Sequence, residues 1–320
     1  MRLINVKTLR LEEFHHNIPP YAILMPSSHT PRAAKNSIER KAGYAKIIGA
    51  CNQAKADRLA YLWCDTNCID KSSSAELTEA INSMYAWYRD SVVCYAYLAD
   101  VRVFDTAGMG TEEFRKSRWF TRGWTLQELI APKEVRFFNV NWKHIGNRQG
   151  LGNIICEVTH IHRCALGNRD TISDYSIAQR MSWAAGRKTS RQEDIAYCLL
   201  GIFDINMPLL YGEGPKAFTR LQEEIIKVSV DQSIFAWDLL DGQRRTSVGI
   251  LALSPDEFAS CGAIVRDMNV APWPYTTTNL GVSIDLPMIR TTVNDTVLGY
   301  VSCCIAVPSL SSLDLVENNW

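Results

Sequence analysis

Two short apolar runs, LAYLWCD (59–65) and SVVCYAYLAD (91–100), flank one segment of helical periodicity, and that spacing restricts the fold more than any other feature. Each run has too few polar positions to leave a face in water. Each therefore reads as a strand buried on both sides, the pattern of parallel sheets covered by helices. Between them, SSSAELTEAINSMYAWYRD places Ser73 and Glu76 at capping-box spacing, and Leu77, Ala80, Ile81, Met84, Trp87 and Tyr88 form one stripe. Strand, helix and strand make a βαβ unit, whose parallel pair requires a right-handed crossover. Ligands of such sheets collect at the carboxyl ends of the strands, which marks Asp65, Asp100 and the loops after them as the candidate functional edge.

The rest of the chain extends this pattern. RLINV and YAILM in the first 25 residues read as short strands. Ile38, Ala42, Ala45, Ile48, Cys51 and Ala54 recur at helical spacing. RWFTRGWTLQELIAP should hold one short helix stopped before Pro132, and VRFFNVNW (135–142) another strand. Residues 143–172 are irregular and read as a linker. SIAQRMSWAAGR, then SRQEDIAYCLLGIF with a second capping box at Ser190 and Glu193, then PKAFTRLQEEIIKVSV with proline at the first helical position, read as helices. After QSIFAW come short β-like runs broken by Gly, Pro and Asn, ending in SSLDLVENNW, which reads as truncated or frayed. The expected fold is α/β: a parallel-sheet core over 1–145, a helical extension over 146–237 and a β-rich C-terminal region over 238–320.

Composition removes several function classes. At 320 residues and 47% apolar, the chain can bury two cores. Its 34 basic and 34 acidic side chains cancel, which argues against nucleic acid or an anionic membrane as partner. MRLINVKTLRLEEF has no apolar signal region, and no apolar run approaches the roughly 20 residues of a spanning helix. A cytoplasmic protein is expected. Several of the ten cysteines, such as Cys94 and Cys198, fall inside apolar segments, where a reduced thiol packs as a small hydrophobe.

Few motifs carry chemistry. YGEGPKAF (211–218) has G-x-G-x-x-A spacing but no strand precedes it and it opens one long helix, so it reads as a glycine turn rather than a dinucleotide fingerprint. HIHRC (160–164), with Cys156 nearby, matches no closed zinc pattern, and no metal is expected. Cys64 and Cys68 are split between a strand and the loop after it. Serine-hydrolase and P-loop signatures are missing. WCDTNCIDK (63–71) places Asp65, Asn67 and Asp70 around a strand end; each aspartate alone reads as a turn or cap residue. RGWTLQE (122–128) should face the same edge, with Trp124 and Glu128 four residues apart on one helical face.

YLWCDTNCIDKSSSAELTEAINSMYAWYRDSVVCYAYLADV and then RWFTRGWTLQELIAP resemble the fungal heterokaryon-incompatibility (HET) domain, whose signatures are an aromatic strand ending in Asp, then CID, then R-G-W-T-x-Q-E. The resemblance spans about residues 1–237, since the segment from ISDYSIAQRM to LQEEII is also similar to the downstream segment of many such fungal proteins. It implies a role in non-self recognition and programmed cell death. It also implies a flavodoxin-like core distantly similar to Toll/interleukin-1 receptor (TIR) domains, many of which cleave NAD with the glutamate of a W-x-x-x-E segment. Carried onto this chain, Glu128 is the catalytic carboxylate, Asp65, Asn67, Asp70, Arg122 and Trp124 bind the nucleotide, and NAD is substrate with no bound cofactor. The family's Ser-aromatic-Trp-Gly loop is replaced here by MPSSHTP (25–31), which alters the edge of that pocket. Two other expectations stand beside this one: a non-enzymatic module that self-associates or binds an incompatibility partner, and a degenerate, inactive copy.

Overall fold

The computed structural model describes residues 1–25, 37–103, 110–167, 169–237, 249–267, 274–279, 281–284, 288–290, 297–299 and 301–305. The altered loop lies outside them except for Met25. The chain divides into two compact units, residues 1–173 with 186–224, and residues 174–185 with 225–320.

The first unit is built on a sheet of seven strands among the described residues: β1 (Arg2–Asn5), β2 (Leu11–Glu13), β3 (Tyr21–Met25), β4 (Tyr61–Cys64), β5 (Val93–Tyr97), β6 (Val135–Phe138) and β7 (His144–Asn147). Their spatial order is β2-β1-β4-β3-β5-β6-β7. β4, β3, β5 and β6 run parallel, while β1 and β7 join antiparallel at the two sides. Taken in chain order, the four parallel strands lie 2-1-3-4, the order of flavodoxin-like doubly wound sheets. The α/β expectation holds. One detail differs: β4 and β5 are not neighbours, because β3 lies between them and pairs in parallel with both. Tyr21, Ala22, Ile23 and Leu24 are all buried, so β3 has no face suited to an edge and takes the centre.

The helices of this unit are α1 (Ser37–Ala56), α2 (Asp65–Cys68), α3 (Ser74–Asp90), α4 (Thr111–Arg115), α5 (Thr125–Ile130), α6 (Gly152–Thr159) and α7 (Arg163–Gly167). The stretch expected as a linker, 143–172, thus supplies an outer strand and two helices. Ser73 caps α3 through the Glu76 N–H at 3.3 Å, but the box is half made. The Glu76 carboxylate turns to the Asp70 N–H (2.7 Å) and to Arg2, which ties the start of α3 to the β1 side of the sheet. The face of α3 carrying Ala80, Ile81, Met84 and Tyr88 is buried.

The second unit holds α8 (Ile177–Ser182), set among three short 3-10 turns and β8 (Ile264–Arg266). Here Ser176 and Gln179 form a complete capping box, and the buried Asp231 carboxylate accepts the N–H groups of Ile177 (2.8 Å) and Ser233 (3.0 Å). In the first unit, the segment expected as one long capped helix from Ser190 is two short ones, α9 (Asp194–Tyr197) and α10 (Leu200–Phe203). α11 (Lys216–Val228) comes directly after Pro215. Strands β9 (Tyr275–Thr278) and β10 (Gly281–Ile284), and β11 (Met288–Arg290) and β12 (Val297–Gly299), make two antiparallel pairs, and β13 (Cys303–Ile305) pairs with β8. No helix among the described residues is long and apolar enough to cross a membrane.

One polar cluster fixes α1 on the sheet. The Tyr95 hydroxyl of β5 donates to Asp57 at 2.5 Å, and Arg136 of β6 donates to the same carboxylate at 2.8 Å. Partial burial opposes the Asp57 charge, but the bonds from Tyr95, Gln53 and Arg136 outweigh it and hold the carboxyl below its usual range. Asp57→Ala should cost about 1–3 kcal/mol by leaving the buried Tyr95 hydroxyl without its acceptor. The midpoint of urea unfolding checks this; an unchanged midpoint would show the cluster to be incidental.

Candidate functional site

Every polar residue of RGWTLQE has a definite place in the first unit. The chain makes a 3-10 turn at Arg118–Thr121 before α5, and Trp124 is the N-cap residue of α5, already with helical torsions. Thr125 is buried and its hydroxyl lies 2.6 Å from the Trp119 carbonyl and 2.8 Å from that of Arg122. The buried Arg187 closes this corner, donating to the Arg122 carbonyl at 3.0 Å and to the Thr125 hydroxyl oxygen at 3.1 Å. Burial draws its guanidinium down to about 10, so it stays charged at neutral pH.

Gly123 is required by close approach. Its N–H donates to the Lys188 carbonyl at 2.9 Å, and a Cβ there would fall 2.5 Å from Thr189 Cγ2 and 3.1 Å from Cys198 Sγ. The strand-like contact of 122 with 188 therefore excludes any side chain at 123.

Glu128 is 3% exposed. The Tyr88 hydroxyl donates to Oε1 at 3.2 Å, while Oε2 is buried and has no hydrogen-bond partner among the described residues. Burial is the main influence on the carboxyl and raises it from 4.5 to about 7; Arg122 opposes the rise, Asp65 adds to it, and Tyr88 and Lys46 oppose it more weakly. The same environment acts in the opposite sense on Lys46 of α1, whose ammonium is drawn down to about 8 by burial.

Arg122, Trp124, Tyr88 and Glu128 line a cleft of about 260 Å³, and Lys46 acts on Glu128 through its charge without lining the cleft. Ile69, Leu77, Ile81, Met84 and Tyr88 line it with apolar surface; its polar groups are Asp65, Lys71, Arg122, Glu128, Ser190, Arg191 and Asp194; Trp124 and Tyr211 add aromatic surface. Asp65 comes directly after β4 and pairs through Oδ2 with Lys71 at 3.1 Å, while its buried Oδ1 has no hydrogen-bond partner among the described residues. The indole of Trp124 is bonded to the Asp194 carboxyl, which also accepts the Tyr211 hydroxyl at 3.0 Å. Burial raises the Asp194 carboxyl against these bonds.

Of the residues expected from sequence, Asp65, Arg122, Trp124 and Glu128 are thus brought together. Asn67 and Asp70 are exposed and do not line the cleft. Asn67 accepts from the Thr66 hydroxyl at 2.9 Å, and Asp70 holds the Ser72 N–H at 2.9 Å, which is the turn role that its sequence position allows. Asp100 accepts from Ser117 and from the Arg118 N–H, both at 2.8 Å, and orders the approach to α5. Lys46, Tyr88, Arg191, Asp194 and Tyr211 join the site without a motif of their own. Tyr88 reads from sequence as core on the α3 stripe, and the others lie far from 122–128 along the chain.

The remaining motifs are structural. Glu193 is no capping-box partner: it accepts from the N–H groups of Gly212 (2.7 Å) and Gly214 (3.1 Å), which with its own backbone hold it below the usual range. Gly212 sits at φ +109°, a conformation reserved in practice for glycine, so YGEGP is a clamped turn. His160 takes a left-handed torsion to end α6, and His162 and Cys164 are exposed. Among the described residues no three His, Cys, Asp or Glu side chains are grouped to hold a metal.

Comparison with known proteins gives two matches. Residues 216–248 match the model of a domain of unknown function, DUF8212. Over 225 residues, 66% of the chain, the sequence is 47% identical to the vegetative incompatibility protein HET-E-1 of Podospora anserina. The chain spans 16% of that protein's length. No solved structure matches the chain.

The geometry at Gly123 and Glu128 can be tested by stability. Gly123→Ala should destabilise the first unit by about 1–3 kcal/mol through overpacking, read as a lower unfolding midpoint. Between pH 4.5 and about 7 the folded chain keeps a proton on Glu128 that the unfolded chain has lost, so stability from this group falls as pH rises through that window. Above it, Glu128→Gln should be more stable than the parent by up to on the order of 3 kcal/mol, and the advantage should vanish near pH 4. Paired thermal melts at pH 4 and pH 8 measure the difference directly.

Proposed function

We propose that the first unit hydrolyses the N-glycosidic bond of NAD or a related pyridinium nucleotide, and that this reaction serves an incompatibility response ending in cell death. The observation that carries the reading is Glu128: a buried carboxyl lining an open cleft, with one oxygen anchored by Tyr88 and the other unpartnered among the described residues. A carboxylate in that setting is strained by desolvation, and a cationic reactant relieves the strain.

The substrate chemistry fits that demand. In a pyridinium nucleotide the bond from C1′ to the ring nitrogen breaks with its electron pair going to nitrogen, so the base leaves neutral and positive charge passes to the ribose. The Glu128 carboxylate stabilises this oxocarbenium-like state, Trp124 walls the cleft beside it, and water then adds to C1′ and releases a proton. The volume of about 260 Å³ lies just below the roughly 300–1,000 Å³ of small-molecule sites, a size for part of a nucleotide such as a base with its ribose. The incompatibility role rests on the likeness to HET-E-1 and on the HET-domain motifs of the sequence.

Purified, concentrated protein incubated with NAD should release nicotinamide, measured by chromatography. Glu128→Ala should reduce release at least about a hundredfold. Because the ionised carboxylate is the working form, the wild-type rate should rise with pH to a plateau, with its half-point near 7. Release that survives Glu128→Ala, or its absence from wild type at high protein concentration, would sink the enzymatic reading.

A further inference from the structure

The hydrolytic chemistry leaves unused the cations that line the cleft, Lys71, Arg122 and Arg191. Arg191 is half-buried, with its guanidinium carbon 4.1 Å from the centroid of the Tyr211 ring. Tyr211 is itself fixed, donating to Asp194 at 3.0 Å and packing edge-on against Tyr197 at 5.4 Å. The Arg191 carbonyl accepts from the Thr189 hydroxyl at 2.5 Å, so the backbone behind the side chain is also held.

Stacking occupies the face of a guanidinium and leaves its in-plane N–H groups available. Among the described residues no hydrogen bond or ion pair engages the edge of Arg191. Lys71 is paired with Asp65 and the Arg122 charge lies beside Glu128, while the Arg191 charge acts on the Asp194 and Glu193 carboxyls with no hydrogen bond or ion pair to either. A planar fork of donors held in place by an aromatic ring is suited to the oxygens of a phosphate. With a base and ribose beside Glu128, as the hydrolytic reading has them, a phosphate on the ribose 5′ carbon falls within a cleft whose lining includes Arg191.

We propose that Arg191 is the phosphate-recognising residue of this cleft, so that its ligands are nucleoside 5′-phosphates, free or as half of a dinucleotide, in preference to nucleosides. The inference rests on the nucleotide reading above but depends on different atoms. Isothermal titration of the full chain with nicotinamide mononucleotide against nicotinamide riboside, and with adenosine monophosphate against adenosine, tests it. Wild type should bind a phosphorylated member of either pair about 10–100-fold more tightly than its nucleoside. Arg191→Ala should bring that ratio near one with nucleoside affinity unchanged, and in hydrolysis should raise KM while kcat stays within about twofold. Arg191→Lys, which keeps the charge and loses the fork, should retain part of the preference.

Equal wild-type binding of phosphate and nucleoside, an equal loss of both in Arg191→Ala, or no binding of any of the four ligands overturns the proposal. If Arg191→Ala fails to fold, the wild-type ratio and Arg191→Lys decide. A phosphate preference without nicotinamide release sinks the hydrolytic reading and leaves this one standing. Release with a ratio near one does the reverse.

Discussion

The candidate site depends on one constraint: a carboxyl group is kept out of water with one of its oxygens bonded and the other without a partner among the described residues. Desolvating an ionised carboxylate costs several kcal/mol unless it is paired or protonated, and Glu128 answers by shifting to about 7 rather than by gaining a full set of partners. Packing has to hold that arrangement, because the group itself opposes it. Tyr88 supplies the one donor among the described residues, and its ring is wedged edge-on against Trp63 with centroids 5.9 Å apart. α3 and α5 meet at this point, with the Gln127 amide turned to the Met84 sulfur at 3.4 Å. The buried Glu128 is thus built into the join of two helices.

The surrounding motif is dense because α5 is only six residues long and cannot hold itself in place. Its start is fixed instead by Thr125 and Arg187 bonded to carbonyls, by the contact of Gly123 with Lys188, and by the tie of Trp124 to Asp194. Residues 187–194 therefore take part in the site from the far side of the sequence. A cleft assembled in this way is lined by the segment after β4 and by α3 together with residues that lie well beyond α5 along the chain.

Much of the fold is legible in the sequence, and the reasons are physical. The strands over 61–64 and 93–97 are apolar on both faces, that over 135–138 is dense in β-formers around Arg136, and the α3 stripe buries where its period places it. Strand order is harder to read, because nothing local in YAILM says that it separates β4 from β5. The 143–172 stretch misleads because β7 is four partly exposed residues whose membership of the sheet comes from pairing with β6. In the site, Asp65, Arg122, Trp124 and Glu128 share a sheet edge and a helix start, so spacing can place them. Asn67 and Asp70 lie in the same loop but face solvent, a matter of turn geometry that spacing does not encode. Arg191, Asp194 and Tyr211 carry no signal of their own; Glu193 beside them reads as a cap because its bond to the 212–214 turn is invisible without the fold.

The opposed shifts of Glu128 and Lys46 share burial as their first cause, and they bear on the ligand proposed for the cleft. Burial raises the acid to about 7 and lowers the base to about 8, so near neutral pH each charge is held at a cost that its neutral form would avoid. Lys71 is held by Asp65 and Asp194 is occupied by Trp124 and Tyr211, while Glu128 Oε2 and Asp65 Oδ1 are both buried with no hydrogen-bond partner among the described residues. Two unpartnered acceptor oxygens of neighbouring carboxyls form a local demand for donors or positive charge that a neutral, acceptor-rich ligand cannot meet. A ligand bearing hydroxyl donors and a delocalised cation meets it, and each proton displaced from Glu128 on binding then links affinity to the ionised form that the proposed reaction needs.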